Sequence, residues 1–147
     1  MEYALRALAR RGHTSLEMRQ KLRKRPHHTG ELEELVLSRL IERKWIDDEA
    51  FVKRRVEDSQ NNRHDGLFKL AYKLKQKGIP MEETQKFWKE TGISEMETAS
   101  AALGKFAHKL AKIPKEKQFN KQARFLAAKG FSPDTIYKLL ARHREFD

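Results

Sequence analysis

The chain has 147 residues, 38% hydrophobic and 36% charged, with 32 Lys and Arg against 21 Asp and Glu for a formal net charge of +11, and no cysteine. Disulfides, Fe–S clusters and cysteine-based zinc sites are therefore excluded, and a cytoplasmic setting is expected. No apolar run approaches the ~18–20 residues that span a bilayer, and residues 1–11 alternate apolar side chains with arginines, without a signal-peptide core.

Helix signals follow one another along the chain. Residues 2–11 form a first amphipathic stretch. Thr14-Ser15-Leu16-Glu17 is a capping box that opens a helix over 14–25. A third helix is expected over 30–44, with Leu32, Leu35, Val36 and Leu40 facing the core. Asp47-Asp48-Glu49 supplies a cap and first-turn acids for 48–60. The polar run 59–65 reads as a loop by composition. Helices are then expected over 65–77, closed by Lys77-Gly78, and over 80–90. A second capping box, Ser94 to Glu97, opens 95–112; 116–129 closes on Lys129-Gly130; Ser132-Pro133-Asp134 starts 132–144. Nothing alternates like a strand, so the fold is all-α, and the aromatic residues are expected mostly in the core.

The nine helices fall into threes because the sequence repeats. Leu22-Arg23-Lys24-Arg25 recurs 52 residues later as Leu74-Lys75-Gln76-Lys77, and again as Leu126-Ala127-Ala128-Lys129. Such a period marks a repeated helical unit. The expected architecture is an elongated array of three tandem three-helix repeats, 1–46, 47–93 and 94–147. About 50 residues is too few for a generous core, so neighbouring repeats must share buried surface.

Charge follows the same period. Net charge is +6 over residues 1–25, −4 over 31–50, +5 over 51–78, −3 over 79–100 and +7 over 101–130. A periodic basic surface suits a polyanion with its own period. Lys69, Lys73 and Lys77 stand at i, i+4, i+8 and form one stripe, expected to face solvent. The matching stripes are Glu17, Lys21, Arg25 and Lys121, Phe125, Lys129. The candidate binding residues are Arg19, Lys21, Arg23, Lys24 and Arg25, then Lys53, Arg54, Arg55 and Arg63, then Lys69, Lys73 and Lys77, and finally Lys121, Arg124 and Lys129. Single- and double-stranded DNA would be held without sequence preference.

Catalytic signals are weak. His27-His28 lacks the i, i+4 spacing of a helical metal pair, and no phosphate-binding glycine loop exists. Asp47 and Asp48 could suggest an acid-dependent nuclease, but directly before Phe51 and Val52 they read better as caps. No cofactor, metal or catalytic residue is expected.

Four ordered segments resemble the successive signatures of the RecX regulators of bacterial recombination. They are Thr14–Leu22, Trp45-Ile46-Asp47-Asp48-Glu49-Ala50-Phe51, Leu74-Lys75-Gln76-Lys77-Gly78-Ile79 and Arg124–Phe131. The resemblance runs from about residue 3 to 141. It implies a non-enzymatic protein of three three-helix repeats that binds RecA and lies in the groove of the RecA–DNA filament. It also implies inhibition of RecA's ATPase, strand-exchange and coprotease activities in recombination and SOS-type repair. A monomer is expected. Two departures stand out. Only Gly66 remains of the family's Gly-Tyr-Gly-Pro-like turn, and repeat one has Arg25-Pro26 where the others have Lys-Gly. The rival reading is a helical DNA- or RNA-binding protein with no filament partner.

Overall fold

Caps and apolar spacing set the helix boundaries. The computed structural model describes the backbone of residues 1–146 and the side chains of residues 1–142. Among the described residues there are nine α-helices and no strand. They are α1 Glu2–Arg10, α2 Ser15–Arg23, α3 Gly30–Glu42, α4 Asp48–Asp58, α5 Leu67–Gln76, α6 Met81–Glu90, α7 Glu95–Leu110, α8 Lys115–Ala128 and α9 Pro133–Phe146. Both capping boxes close: the Thr14 hydroxyl accepts from the Glu17 amide while Glu17 accepts from the Thr14 amide, and Ser94 and Glu97 repeat the pattern. Asp47 accepts from the Ala50 amide at 3.0 Å, and Ser132 from the Thr135 amide at 3.2 Å. Each such cap stabilises its helix by ~1 kcal/mol.

Three hydrophobic clusters succeed one another along the chain. Ala4, Ala7, Met18, Leu37, Leu40 and Ile46 close the first. Phe51, Val52, Val56, Leu70, Leu74, Ile79, Phe87 and Trp88 close the second. Ala99, Ala102, Leu103, Leu126, Phe131, Leu139 and Leu140 close the third. Each cluster draws on three consecutive helices and the residues that end them.

Two expectations fail locally. α3 buries Glu33, Leu37 and Leu40 and leaves Leu32 and Leu35 exposed. The helix is rotated because a carboxylate belongs inside: Glu33 accepts from Arg19 at 2.9 Å, from Arg23 at 3.3 Å and pairs with His28 at 2.8 Å. A buried ion with three partners is invisible to a purely apolar pattern. The polar run after α4 is also no loop. Ser59–Arg63 continues α4 as a π-helical turn. His64, at φ 54°, ends it, and the Asp65 amide reaches back to the Ser59 carbonyl at 3.2 Å. The polar side chains serve the turn: the Gln60 amide donates to Thr91 Oγ1 at 2.9 Å, and Ser59 Oγ donates to the Asp65 carbonyl at 3.3 Å.

The repeats join end to end through their second helices. The C-terminus of α5 abuts the N-terminus of α2, where Thr14 Oγ1 donates to the Lys77 carbonyl at 2.6 Å. The C-terminus of α8 abuts the N-terminus of α5, where the Gly66 amide donates to the Lys129 carbonyl at 2.6 Å. Thr14 and Gly66 stand one 52-residue period apart, as do Lys77 and Lys129. Each joint sets the negative end of one helix dipole against the positive end of the next. Asp48 adds to the first joint by accepting from the Ser15 amide at 2.8 Å.

Close approach explains the glycines. Gly130 has φ +89°, and a Cβ there would lie 2.2 Å from Lys69 Cβ; one on Gly66 would lie 2.3 Å from the Gly130 carbonyl oxygen. Gly66 is therefore the member of the altered turn that the joint requires. α2, by contrast, ends at Arg23 and is followed by Lys24 and Arg25-Pro26, with the Arg25 guanidinium 4.3 Å from the Tyr3 ring centre. No carbonyl-to-cap bond of the joint kind is made there among the described residues. The Lys-Gly ending is a docking element, which accounts for its absence from α2.

Candidate nucleic-acid interface

The structure divides the expected basic residues into those that hold the fold and those left for a ligand. Arg19 and Arg23 neutralise Glu33, and Arg19 also pairs with Glu34. His28, Arg23 and Arg19 together hold the Glu33 carboxyl down to a pKa of about 2. Lys69 and Lys129 share Asp65 at 3.4 and 3.3 Å across the second joint, and Lys129 also donates to the Arg63 carbonyl at 2.8 Å. Lys77 reaches Glu17 at 3.7 Å across the first joint. Burial works against the Glu17 carboxylate, but the Thr14 amide, Arg11 and Lys77 outweigh it and lower its pKa. The stripe Lys69–Lys73–Lys77 is thus not a simple solvent face. It is half-buried, and its two ends bridge repeats.

Lys73, in the middle, has no ion pair among the described residues. Burial lowers its pKa first, and the charges of Lys69, Arg63 and Arg55 lower it further. Four cations therefore act on one side of α5, offset in part by Asp65. Arg63 is partly engaged by Asp58 at 3.0 Å. Lys53 makes an exposed pair with Glu49 at 3.1 Å, and its Nζ lies 5.2 Å from the Phe87 ring centre. Lys24 and Arg54 are exposed, Lys21 is half-buried, and none of the three has an ion pair among the described residues. Lys121 and Arg124 are exposed and line a groove with Lys112 and Lys117 in the third repeat.

Aromatic placement departs from expectation. Phe51, Phe87, Trp88 and Phe131 are buried, but Phe68 and Tyr72 are 66% and 55% exposed. They stand one turn apart on α5, beside Lys69 and Lys73. Trp45 and Tyr137 are also exposed.

Arg11 and Lys44 are cations that second-helix reasoning misses. Both line a cleft of about 570 Å³ between the first two repeats, with Arg54, Arg55, Lys77 and Trp45. Lys44 lies in a segment whose summed charge is negative, so charge averaging hides it. Its position before Trp45 was the available signal.

The acidic triplet is structural in its contacts. The Asp47 and Asp48 oxygens accept from the Ala50 and Ser15 amides. Among the described residues no group of three His, Cys, Asp or Glu side chains is arranged to hold a metal ion. No described helix is long and apolar enough to cross a membrane.

Comparison with known proteins places these features in a family setting. The family model described as "RecX, third three-helix domain" matches residues 94–140. The chain is 33% identical over 138 residues to the regulatory protein RecX of Neisseria meningitidis, covering 93% of this chain and 86% of that one. It is 37% identical over 139 residues to the protein of that name from Neisseria gonorrhoeae, with the same coverage. It is 32% identical to the one from Halorhodospira halophila, covering 98% and 88%. The crystal structure of RecX from Lactobacillus salivarius superposes with a TM-score of 0.79 over 96% of this chain and 92% of that one, at 22% identity, and so shares the fold.

Proposed function

This chain belongs to the RecX family of regulatory proteins, and from that premise we propose that it binds the RecA–DNA filament and damps RecA's ATPase, strand-exchange and coprotease activities. On this reading it is a cytoplasmic, monomeric non-enzyme without a cofactor, built of repeats 1–46, 47–93 and 94–147. DNA phosphate is met by Lys73 and its convergent neighbours in repeat two and by Lys121 and Arg124 in repeat three.

The supporting observation is the line of second helices α8, α5 and α2 joined end to end. Docked ends fix the distance from one repeat to the next. Phosphate contacts in successive repeats are then held at set spacings, as a polymer with its own period requires. Each phosphate neutralised adds about 0.7–0.9 to the slope of log affinity against log salt, without reading sequence.

The test is RecA ATPase on single-stranded DNA, titrated with wild type and with Lys73→Glu. Wild type should suppress turnover, and the variant should need a higher concentration to do so. If wild type binds DNA but leaves RecA turnover unchanged at every concentration, the RecA reading fails. The rival reading, a helical nucleic-acid-binding protein without a filament partner, then takes its place.

A further inference from the structure

The cleft between the first two repeats has the composition of a binding site. Arg11, Lys44, Arg54, Arg55 and Lys77 line it, against one carboxylate, Asp47, among the described lining residues. Glu17 already holds Arg11 at 3.1 Å and Lys77 at 3.7 Å. Lys44, Arg54 and Arg55 have no carboxylate partner among the described residues. Asp47 is engaged by the Ala50 amide. The cleft therefore carries uncompensated positive charge in a concave setting, which favours an anion over water.

Trp45 and Lys44 narrow the anion, and His13 closes the wall between them and the first repeat. Trp45 lines the cleft and is 45% exposed, with the Arg43 guanidinium 5.1 Å from its ring centre. The exposed indole surface that the guanidinium leaves uncovered is a stacking surface for a base. His13 lines the cleft too and is 3% exposed. Burial lowers its pKa, so the ring is neutral near pH 7. Its Nδ1 lies 3.0 Å from the Arg11 carbonyl, which places the ring proton there. Nε2 is then a buried acceptor, and it has no partner. That atom is covered by protein, so His13 forms part of the wall and offers a ligand no bond. Finally, Lys44 sits at φ +59°, in the left-handed region. The residue ending the third helix of repeat two in the same way is Gly92, at φ +75°. Lys44 keeps a side chain where the backbone favours glycine, and that side chain lines the cleft.

We propose that this cleft is a nucleotide pocket for single-stranded nucleic acid. Phosphodiester lies against Lys44, Arg54 and Arg55, and a base stacks on Trp45. The proposal rests on the polyanion reading above but not on RecA.

The probe is a short oligothymidylate, with pyrophosphate and thymidine as separate arms. Binding is followed by tryptophan fluorescence and by anisotropy of the labelled oligonucleotide. The oligonucleotide should quench fluorescence, and Trp45→Phe should abolish the quench, since Trp88 is buried. One phosphate contact to a single strand carries a salt slope of about 0.7, so at ~0.1 M salt Lys44→Gly and Arg54→Ala should each weaken binding about fivefold. Lys44→Gly should melt no lower than wild type, because glycine suits φ +59°. Loss of binding without loss of stability is a result that a structural lysine would not give. Pyrophosphate binding as well as the oligonucleotide, or both variants binding like wild type, would overturn the pocket. RecA ATPase measured on the same samples separates the two readings: suppression without oligonucleotide quenching leaves the RecA proposal standing and removes this one.

Discussion

Adding a single methyl group at Gly130 tests whether the repeats are docked rigidly. A Cβ there would lie 2.2 Å from Lys69 Cβ and 2.6 Å from the Lys69 amide nitrogen, and the backbone has φ +89°. Gly92 is the matched control, with φ +75° and nothing within 4 Å of its added Cβ. Gly92→Ala should cost about 1–2 kcal/mol, from the left-handed backbone alone. Gly130→Ala carries that cost and an overpacking cost of about 1–3 kcal/mol. It also loses about 1 kcal/mol as the Gly66 amide is pulled from the Lys129 carbonyl. The expected total is about 3–6 kcal/mol, roughly 2–4 beyond the control. Denaturant unfolding of both variants measures the difference, and small-angle scattering should show the Gly130→Ala chain more extended. Equal destabilisation of the two variants would refute the reasoning, since the close approach would then carry no energy.

Other outcomes follow from particular contacts. Glu33 is held at about 2 against an ordinary 4.5, so its contribution is fully present above about pH 4.5 and is lost as pH falls toward 2; Glu33→Gln should lower stability at pH 7 and flatten the acid limb of a pH–stability curve. Lys69→Glu and Lys77→Glu should destabilise the joints, whereas Lys73→Glu should alter stability by under about 0.5 kcal/mol while weakening DNA binding, which thermal melts and anisotropy can separate. Asp47→Asn with Asp48→Asn should keep the fold, because asparagine oxygens accept the same amide bonds, and abolish no reaction, whereas Asp47→Ala should cost ~1 kcal/mol in a thermal melt; Mg²⁺-dependent DNA cleavage by the wild type, lost in the folded asparagine variant, would contradict the capping role. Leu74→Ala should cost ~2–5 kcal/mol by opening a cavity at a fully buried position, read from the shift in the denaturant midpoint.

Much of the fold was legible because it is local. Thr14, Ser94 and Ser132 announce their helices through bonds that reach only three residues ahead, and the 52-residue period places the helices in threes. α3 was misoriented because Glu33 earns its burial from Arg19, Arg23 and His28 on other segments. The π turn at Ser59–Arg63 was taken for a loop because its polar side chains bond to Thr91 and to the turn itself. The stripe on α5 was visible as a spacing, but its division into Lys73 and the bridging Lys69 and Lys77 depends on Asp65 and Glu17 across the joints. Lys44 and Arg11 were missed because a cleft between repeats is a property of the docking, and no single segment encodes it.

The docked helices run against the order of synthesis. Each later repeat plugs its helix end into a socket made earlier, and the Thr14–Lys77 bond spans 63 residues. The first socket therefore stays open until α5 and its Lys77 ending have been made. The second plug, Lys129-Gly130, follows 52 residues later. The two sockets close in different ways. Gly130 approaches Gly66 so closely that no Cβ fits between them, whereas at the first socket Thr14 donates its hydroxyl to the Lys77 carbonyl. The same joint is thus made twice along the array, once by a side chain and once by the bare backbone.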